Sequence, residues 1–370
     1  SGLLVAQRAF HGALEPMVTL VIEDAASDPV AAYHRLANQG ALAIIGPLDT
    51  AQARQLLEPA RERQVPLMTL TADSALPRSQ GEGEEFEARP PVFRNFVDAL
   101  AEARAAAHLS FETIGDRRAT VVYPDMGYGR AMAAAFADEF RNLGGEILAE
   151  IAYDRQGSDF VDTAKRVART EPDAIFLPDT AAKVAEISAF LAQENIWGIP
   201  ADQHRNPRSK RLFVHYLGTS LWQEPVLLRQ AASYIQGAVI PAWSSPAFDD
   251  QQTRQFAGNF DGIYGRRPDS FEVFAYDSMV HLRSLLIDGR ISDAQGIATA
   301  LVDGNWRQGA TGEYRFLPDG EALRKLRFIA VDGDDWTVLP HTSQTPLNNS
   351  TNSDQPSRGE GPGQTPDHGR

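Results

Sequence analysis

The chain has no cysteine among its 370 residues. That excludes disulfides, thiolate metal sites and cysteine nucleophiles, and it fits an oxidising compartment. No apolar run approaches the roughly 18 residues that a membrane-spanning helix needs, and the N-terminus shows no basic stretch followed by an apolar one. Positive charge is scarce: 35 Lys and Arg against 49 Asp and Glu leave a formal net charge of −14. Without a basic face for a phosphate backbone, nucleic acid is excluded as a partner. The eight histidines are scattered, with no metal-ligand spacing. GxGxxG after a strand, GxxxxGK[ST], GxSxG and HExxH are all missing, so nucleotide, phosphoryl-transfer, nucleophile-elbow and zinc-protease chemistry lack a signature. Neither a cofactor nor an enzymatic activity is expected, and Asp125 and Asp159 read as loop and capping residues.

What is present is a regular alternation of strand and helix. With 43% hydrophobic and 23% charged residues, the chain can bury more than one core, and domains of roughly 100–200 residues make two the natural number. From Ala43 to Leu70 a β-run ends in Gly46-Pro47, passes Asp49-Thr50, enters a helix and reaches a second β-run. That order sets free backbone N–H groups and a hydroxyl at the carboxyl edge of a parallel sheet, where open α/β folds bind ligands. Ala119 to Asp154 has the same form, with a Gly- and Tyr-bearing turn between strand and helix. Two similar halves predict two lobes and a cleft.

The first half reads as strand Val18–Glu23, helix Pro29–Gln39, strand Leu42–Ile45, helix Thr50–Arg63 and strand Pro66–Leu70. After Val92–Asn95, the second reads as helix Val97–Thr113, strand Ala119–Tyr123, helix Tyr128–Leu143, strand Glu146–Tyr153, helix Asp159–Arg169, strand Ala174–Leu177, helix Ala181–Asn195 and strand Leu212–Leu217. Phe248 to Gly289 is helical with a break at Tyr264-Gly265 and Pro268-Asp269. Thr311–Phe316, a Pro318-Asp319-Gly320 turn, Leu326–Val331 and Trp336–Leu339 close the chain in hairpin fashion. Arg78 to Pro91 and Ala201 to Lys210 are expected surface loops. From Thr342 onward the composition cannot offset its ordering entropy and is expected to be disordered.

The order of these segments resembles the type I periplasmic binding proteins, in the branch of leucine/isoleucine/valine-binding receptors of ABC importers. The matching stretches include IIGPLDT at Ile44–Thr50, VPLMTLTADSAL at Val65–Leu76, VFRNF at Val92–Phe96, VVYPDMGYGR from Val121 to Arg130, PDAIFLPD at Pro172–Asp179, YIQGAVI at Tyr234–Ile240 and TGEYRFLPDGE at Thr311–Glu321. The resemblance runs from Ser1 to about Leu339. It implies two Rossmann-like lobes with parallel central sheets, joined by three crossover strands: residues 1–96 with 244–309, and residues 97–243 with 310–341. Such relatives open with an apolar strand ending in a Ser-Gly loop, whereas here Ser1-Gly2 is terminal and a helix, Leu3–Leu14, follows. The expectation is a missing first strand, through truncation or an expression scar.

Carried over by position, the resemblance implies that a ligand carboxylate is held by Asp49, Thr50 and Ala51 and by Thr71, Ala72 and Asp73. For Thr50 the plainer alternative is a helix N-cap. Tyr128 matches an aromatic facing the cleft, the alternative being a turn aromatic packed on its own helix. Trp222 is either on the cleft or buried. Ser220 stands where amino-acid-binding relatives place an acid for the ligand ammonium, and Thr180 falls near a position that is often Tyr in the family. An ordinary α-amino acid is therefore in doubt unless Asp73 or Asp179 substitutes. Two functions follow. One is a solute receptor taking a small polar, amino-acid-like ligand to the membrane permease of an ABC importer. The other is an envelope interaction protein similar to the penicillin-binding-protein activator lipoproteins, with cell-wall synthesis proteins as partners. Either implies a periplasmic or extracytoplasmic location, with an N-terminal lipid anchor common in the family.

Overall fold

The computed structural model describes residues 3, 4, 6, 18–76, 91–96, 98–203, 208–248, 250–286 and 291–339. Most of the helix expected over Leu3–Leu14, most of the Arg78–Pro91 insert, part of the Ala201–Lys210 loop and the tail from Thr342 lie outside these residues. Among the described residues no helix is long and apolar enough to cross a membrane.

The first body is built from α1 (Pro29–Asn38), β1 (Ile44–Ile45), α2 (Thr50–Gln55), α3 (Leu57–Arg63), β2 (Leu67–Thr69) and β3 (Val92–Arg94). Its strands pair in parallel in the order β1-β2-β3, with Ile44 opposite Leu67 and Leu67 opposite Val92. The second body runs through α4 (Ala99–His108), a π-helical turn over Leu109–Ile114, β4 (Arg118–Pro124), α5 (Gly127–Asn142), β5 (Glu146–Tyr153), α6 (Val161–Thr170), β6 (Ala174–Phe176) and α7 (Ala181–Gln193). It continues through β7 (Ile196–Gly198), β8 (Leu212–Leu217), a 3-10 turn over Ser220–Gln223, α8 (Pro225–Ala231) and β9 (Val239–Ala242). The chain then returns with α9 (Gln251–Tyr264), α10 (Ser270–Leu286), α11 (Ala294–Leu301) and the antiparallel meander β10 (Arg307–Gly309), β11 (Gly312–Phe316) and β12 (Ala322–Arg324). It ends in β13 (Arg327–Asp332) and β14 (Asp335–Val338).

The larger sheet has the order β14-β13-β9-β8-β6-β4-β5, with β7 also pairing β8. From β4 to β9 every pairing is parallel, and β13 joins β9 antiparallel. The chain leaves β4 for β5 on one side and then returns to β6 on the other. The crevice outside the carboxyl ends of β4 and β6 is therefore a topological switch point.

One apolar cluster joins the bodies. Leu70, Phe96 and Phe274 meet Ala103, Phe136, Leu217, Trp243 and Leu326 in it. The meander packs elsewhere: Tyr314 and Phe316 lie with Met68, Phe93 and Leu282, and Gly320 accepts a backbone bond from Arg94 at 2.9 Å. β13 and β14, in contrast, extend the larger sheet. The passage from the meander to that sheet thus falls between Arg324 and Arg327.

One expected strand is not formed. Val18–Glu23 makes no ladder, and Val21 and Ile22 are exposed. Two adjoining cavities of about 330 and 440 Å³ have walls shared by this segment and β1, so the segment stands too far from β1 to pair. β-Propensity makes a strand only where a neighbour receives its hydrogen bonds. The helix expected over Thr50–Arg63 is two helices meeting at Leu56, and the one over Val97–Thr113 is α4 followed by the π-helical turn.

Candidate functional site

The residues singled out from the sequence stand at the carboxyl ends of parallel strands in both bodies. On the first, Asp49 and Thr50 follow β1, and Thr71 to Asp73 follow β2. Asp49, not Thr50, caps the helix: its Oδ1 accepts from the Gln52 amide at 2.9 Å. Thr50 is the first helical residue and half-buried, while Ala51 and Ala72 are exposed. Asp73 takes Arg54 Nη2 at 2.6 Å and the Ala75 amide at 3.1 Å. Burial works against its charge, but the Arg54 guanidinium prevails and holds the carboxyl below its usual range. Thr71 is fully buried, its carbonyl accepts from Arg94 at 2.9 Å, and its hydroxyl has no hydrogen-bond partner. An unpaired buried hydroxyl is costly to maintain and marks a place where a further acceptor or donor is wanted.

On the second body, Tyr128 is the second residue of α5 after β4, Asp179 and Thr180 follow β6, and Thr219 to Trp222 follow β8. Tyr128 sits among Glu102, Thr219 and Asp179; burial, then the two carboxylates, lift its phenol to about 12, so it is a neutral hydroxyl. Asp179 is 3% exposed and accepts from the Tyr153 hydroxyl at 2.7 Å, the Thr180 amide at 2.6 Å and Arg155 at 3.2 Å. It is already neutralised by its own lobe.

Two expected ligand contacts are redirected. Ser220 gives both its amide (3.0 Å) and its hydroxyl (2.7 Å) to Glu102, so neither is left for a ligand. Trp222 is fully buried, donates to the Leu177 carbonyl at 3.2 Å and packs in the core of the larger sheet. It does not line a wall. Gly218 explains the approach: a Cβ there would lie 2.3 Å from the Trp222 indole.

Glu102 is the principal residue that sequence reasoning missed. It lies on α4, 2% exposed, and also accepts from the Trp243 indole. Its signal was faint: in an alanine-rich helix, Glu102 sits on the same face as Ala99, Ala103 and Ala106, where an acid needs a partner. Arg54, Arg155 and Tyr153 were also missed, because each acts through a residue distant in sequence.

A family model described as periplasmic binding protein matches residues 5–335. No curated protein sequence matches. Among solved structures, the chain is similar to a protein assigned as a branched-chain amino acid ABC transporter from Rhodospirillum rubrum, with 17% identity, TM-score 0.75 and coverage of 91% of this chain and 93% of that one. It is similar to leucine-binding protein LivK from Thermotoga maritima at 19% identity and TM-score 0.61, covering 94% and 93%. A third similar structure is an R. palustris solute-binding protein of an ABC transporter in complex with benzoate, at 18% identity and TM-score 0.60, covering 91% and 89%. At these identities the likeness establishes the fold.

Proposed function

The chain belongs to the periplasmic binding protein family, and on that premise we propose that it is an extracytoplasmic solute-binding protein that captures a small ligand between two lobes for the permease of an ABC importer. The lobes are residues 1–96 with 244–309 and residues 97–243 with the C-terminal strands. The packing of β11 and β12 beside Met68 and Phe93 supports carrying the first lobe on to about residue 326.

The observation that carries this reading is the position of Thr71 just past the carboxyl end of β2 and of Tyr128, Asp179 and Thr219 just past those of β4, β6 and β8, where Tyr128 feels both Thr219 and Asp179 and two of the strands flank the switch point of the larger sheet. The loops at these strand ends carry neutral hydroxyls together with the cations Arg54 and Arg155, each paired with an acid of its own body. Exposed apolar side chains stand in the same loops, namely Leu48, Met126 and Leu221. Such a lining suits a ligand with a polar or anionic head and an apolar remainder, the chemistry of an amino acid or a simple carboxylic acid.

A second reading, an envelope interaction protein without a transported solute, is favoured by one observation. The acids that could receive an ammonium are engaged internally: Asp73 by Arg54, Asp179 by Arg155 and Tyr153, Glu102 by Ser220 and Trp243. Calorimetric titration with branched-chain amino acids, benzoates and short-chain carboxylates separates the two. A saturating one-site isotherm abolished by Tyr128→Ala supports the receptor. A flat response across the panel supports the interaction protein.

A further inference from the structure

The route between the bodies is tied to the loop after β8 by a single carboxylate. Glu102 lies one turn into α4, directly after the first crossing at Phe96, and is buried. Its Oε1 accepts from the Trp243 indole, just past the end of β9 where the chain crosses back, and from the Ser220 hydroxyl at 2.7 Å. Its Oε2 accepts from the Ser220 amide at 3.0 Å. One side chain thus spans two of the crossings and the loop beside Thr219 and Tyr128. The same corner has a small cavity lined by Phe96, Asp98, Trp243, Glu321 and Leu326, residues from all three crossings.

We propose that Glu102 is a proton-gated latch: ionised, it fastens the Thr219–Ser220 loop to the Trp243 crossing, and protonated, it releases that fastening and frees the lobes to change their angle. The chemistry follows from donor counting. A carboxylate accepts all three N–H and O–H donors that face it, whereas a carboxylic acid brings an O–H of its own. The Ser220 hydroxyl must then turn to accept it, and the pull on the indole and the amide weakens.

The groups facing Glu102 set where this happens. Asp98, the cap of the same helix, repels its charge; Tyr128 from α5 faces it as a neutral phenol; the loop after β8 and the end of β9 contribute the non-titrating Ser220 and Trp243. Burial is the largest influence and lifts the carboxyl from 4.5 to about 7, against the hydrogen bonds from Ser220 and Trp243. Both states are therefore populated near neutrality. The proposal goes beyond the solute reading and stands whether or not the cleft takes a solute.

The test uses the ligand-free chain. Tryptophan emission is recorded from pH 5.5 to 8.5, and the radius of gyration is measured by solution scattering at both ends. Wild type is expected to show a one-proton transition near pH 7 that disappears in Trp243→Phe, together with a change in radius. Glu102→Gln should hold the acid-side emission and radius throughout. Glu321 lines the same cavity, is also lifted to about 7 and also feels Asp98, so the second variant is Ser220→Ala: it removes a hydroxyl that favours ionised Glu102 and should move the Glu102 midpoint to higher pH, which keeps the test decisive if Glu102→Gln does not fold. A transition undiminished in Glu102→Gln, an unmoved midpoint in Ser220→Ala, or a radius independent of pH would overturn the latch.

Discussion

Replacing Glu102 by Gln should make the protein's stability markedly less sensitive to pH, with a magnitude that follows from burial. The Glu102 carboxyl is raised from 4.5 to about 7 by desolvation, more than its three hydrogen bonds can offset. An acid that holds its proton more tightly when folded favours the native state below its unfolded pKa of 4.5, and this advantage is lost as the pH rises through 7. A shift of that size corresponds to about 3 kcal/mol, at 1.36 kcal/mol per pKa unit. Glutamine is fixed in the neutral form and cannot lose it. The gap in unfolding free energy between Glu102→Gln and wild type should therefore move by about 3 kcal/mol in favour of the variant between pH 4.5 and pH 8.5. At roughly 2–4 °C per kcal/mol for a lobe of this size, thermal melts should show several degrees. Urea unfolding followed by circular dichroism at the two pH values is the assay. Parallel curves, with a constant gap at both pH values, would refute the reasoning.

Three further outcomes are expected. Arg94 is fully buried and holds Glu321 through two bonds, at 2.8 and 2.5 Å, so Arg94→Met should cost about 3–5 kcal/mol near neutral pH. The loss should shrink in acid, where burial lets Glu321 take up a proton, and denaturant titrations at pH 5 and 8 check this. Trp222→Ala should cost about 3–5 kcal/mol through its cavity, and Gly218→Ala alone should also destabilise because its Cβ meets the indole. Thermal melts of the double variant should show the Gly218 penalty largely relieved, since the two sites are in contact. Asp49→Ala should lose about 1 kcal/mol of helix capping while Asp49→Asn retains most of it, read as midpoints of urea unfolding.

The α/β alternation was legible because turn residues punctuate it. The strands Glu146–Tyr153 and Leu212–Leu217 have the bounds that their flanking residues announced. The strands and helices that escaped notice are short: β7, α8, β9, α11, β10 and β12 have three to eight residues, and β9 contains Pro241, which argues against a strand locally. Val18–Glu23 shows the opposite failure, a β-like pattern whose neighbours stand too far away to pair. The strand ends could be read from the pattern, and the family resemblance named the candidate wall residues that stand on them. Which of them remain available to a ligand could not be read, because Ser220 is taken by a carboxylate 118 residues away and Asp179 by Arg155, 24 residues away. Such pairings are made by packing and leave no trace in local pattern.

The central claim, a ligand held between the lobes, is tested most directly through Thr71. Its buried hydroxyl has no partner, so Thr71→Val should leave the ligand-free protein as stable as wild type or up to about 1 kcal/mol more stable. The measurement is the melting-temperature response of both proteins to the same panel of amino acids, benzoates and short carboxylates. A ligand at about 100 times its dissociation constant adds roughly 2.7 kcal/mol, and the account predicts that rise in wild type and its loss in a fully folded Thr71→Val. An equal rise in both proteins, or none in wild type across the panel, would contradict it.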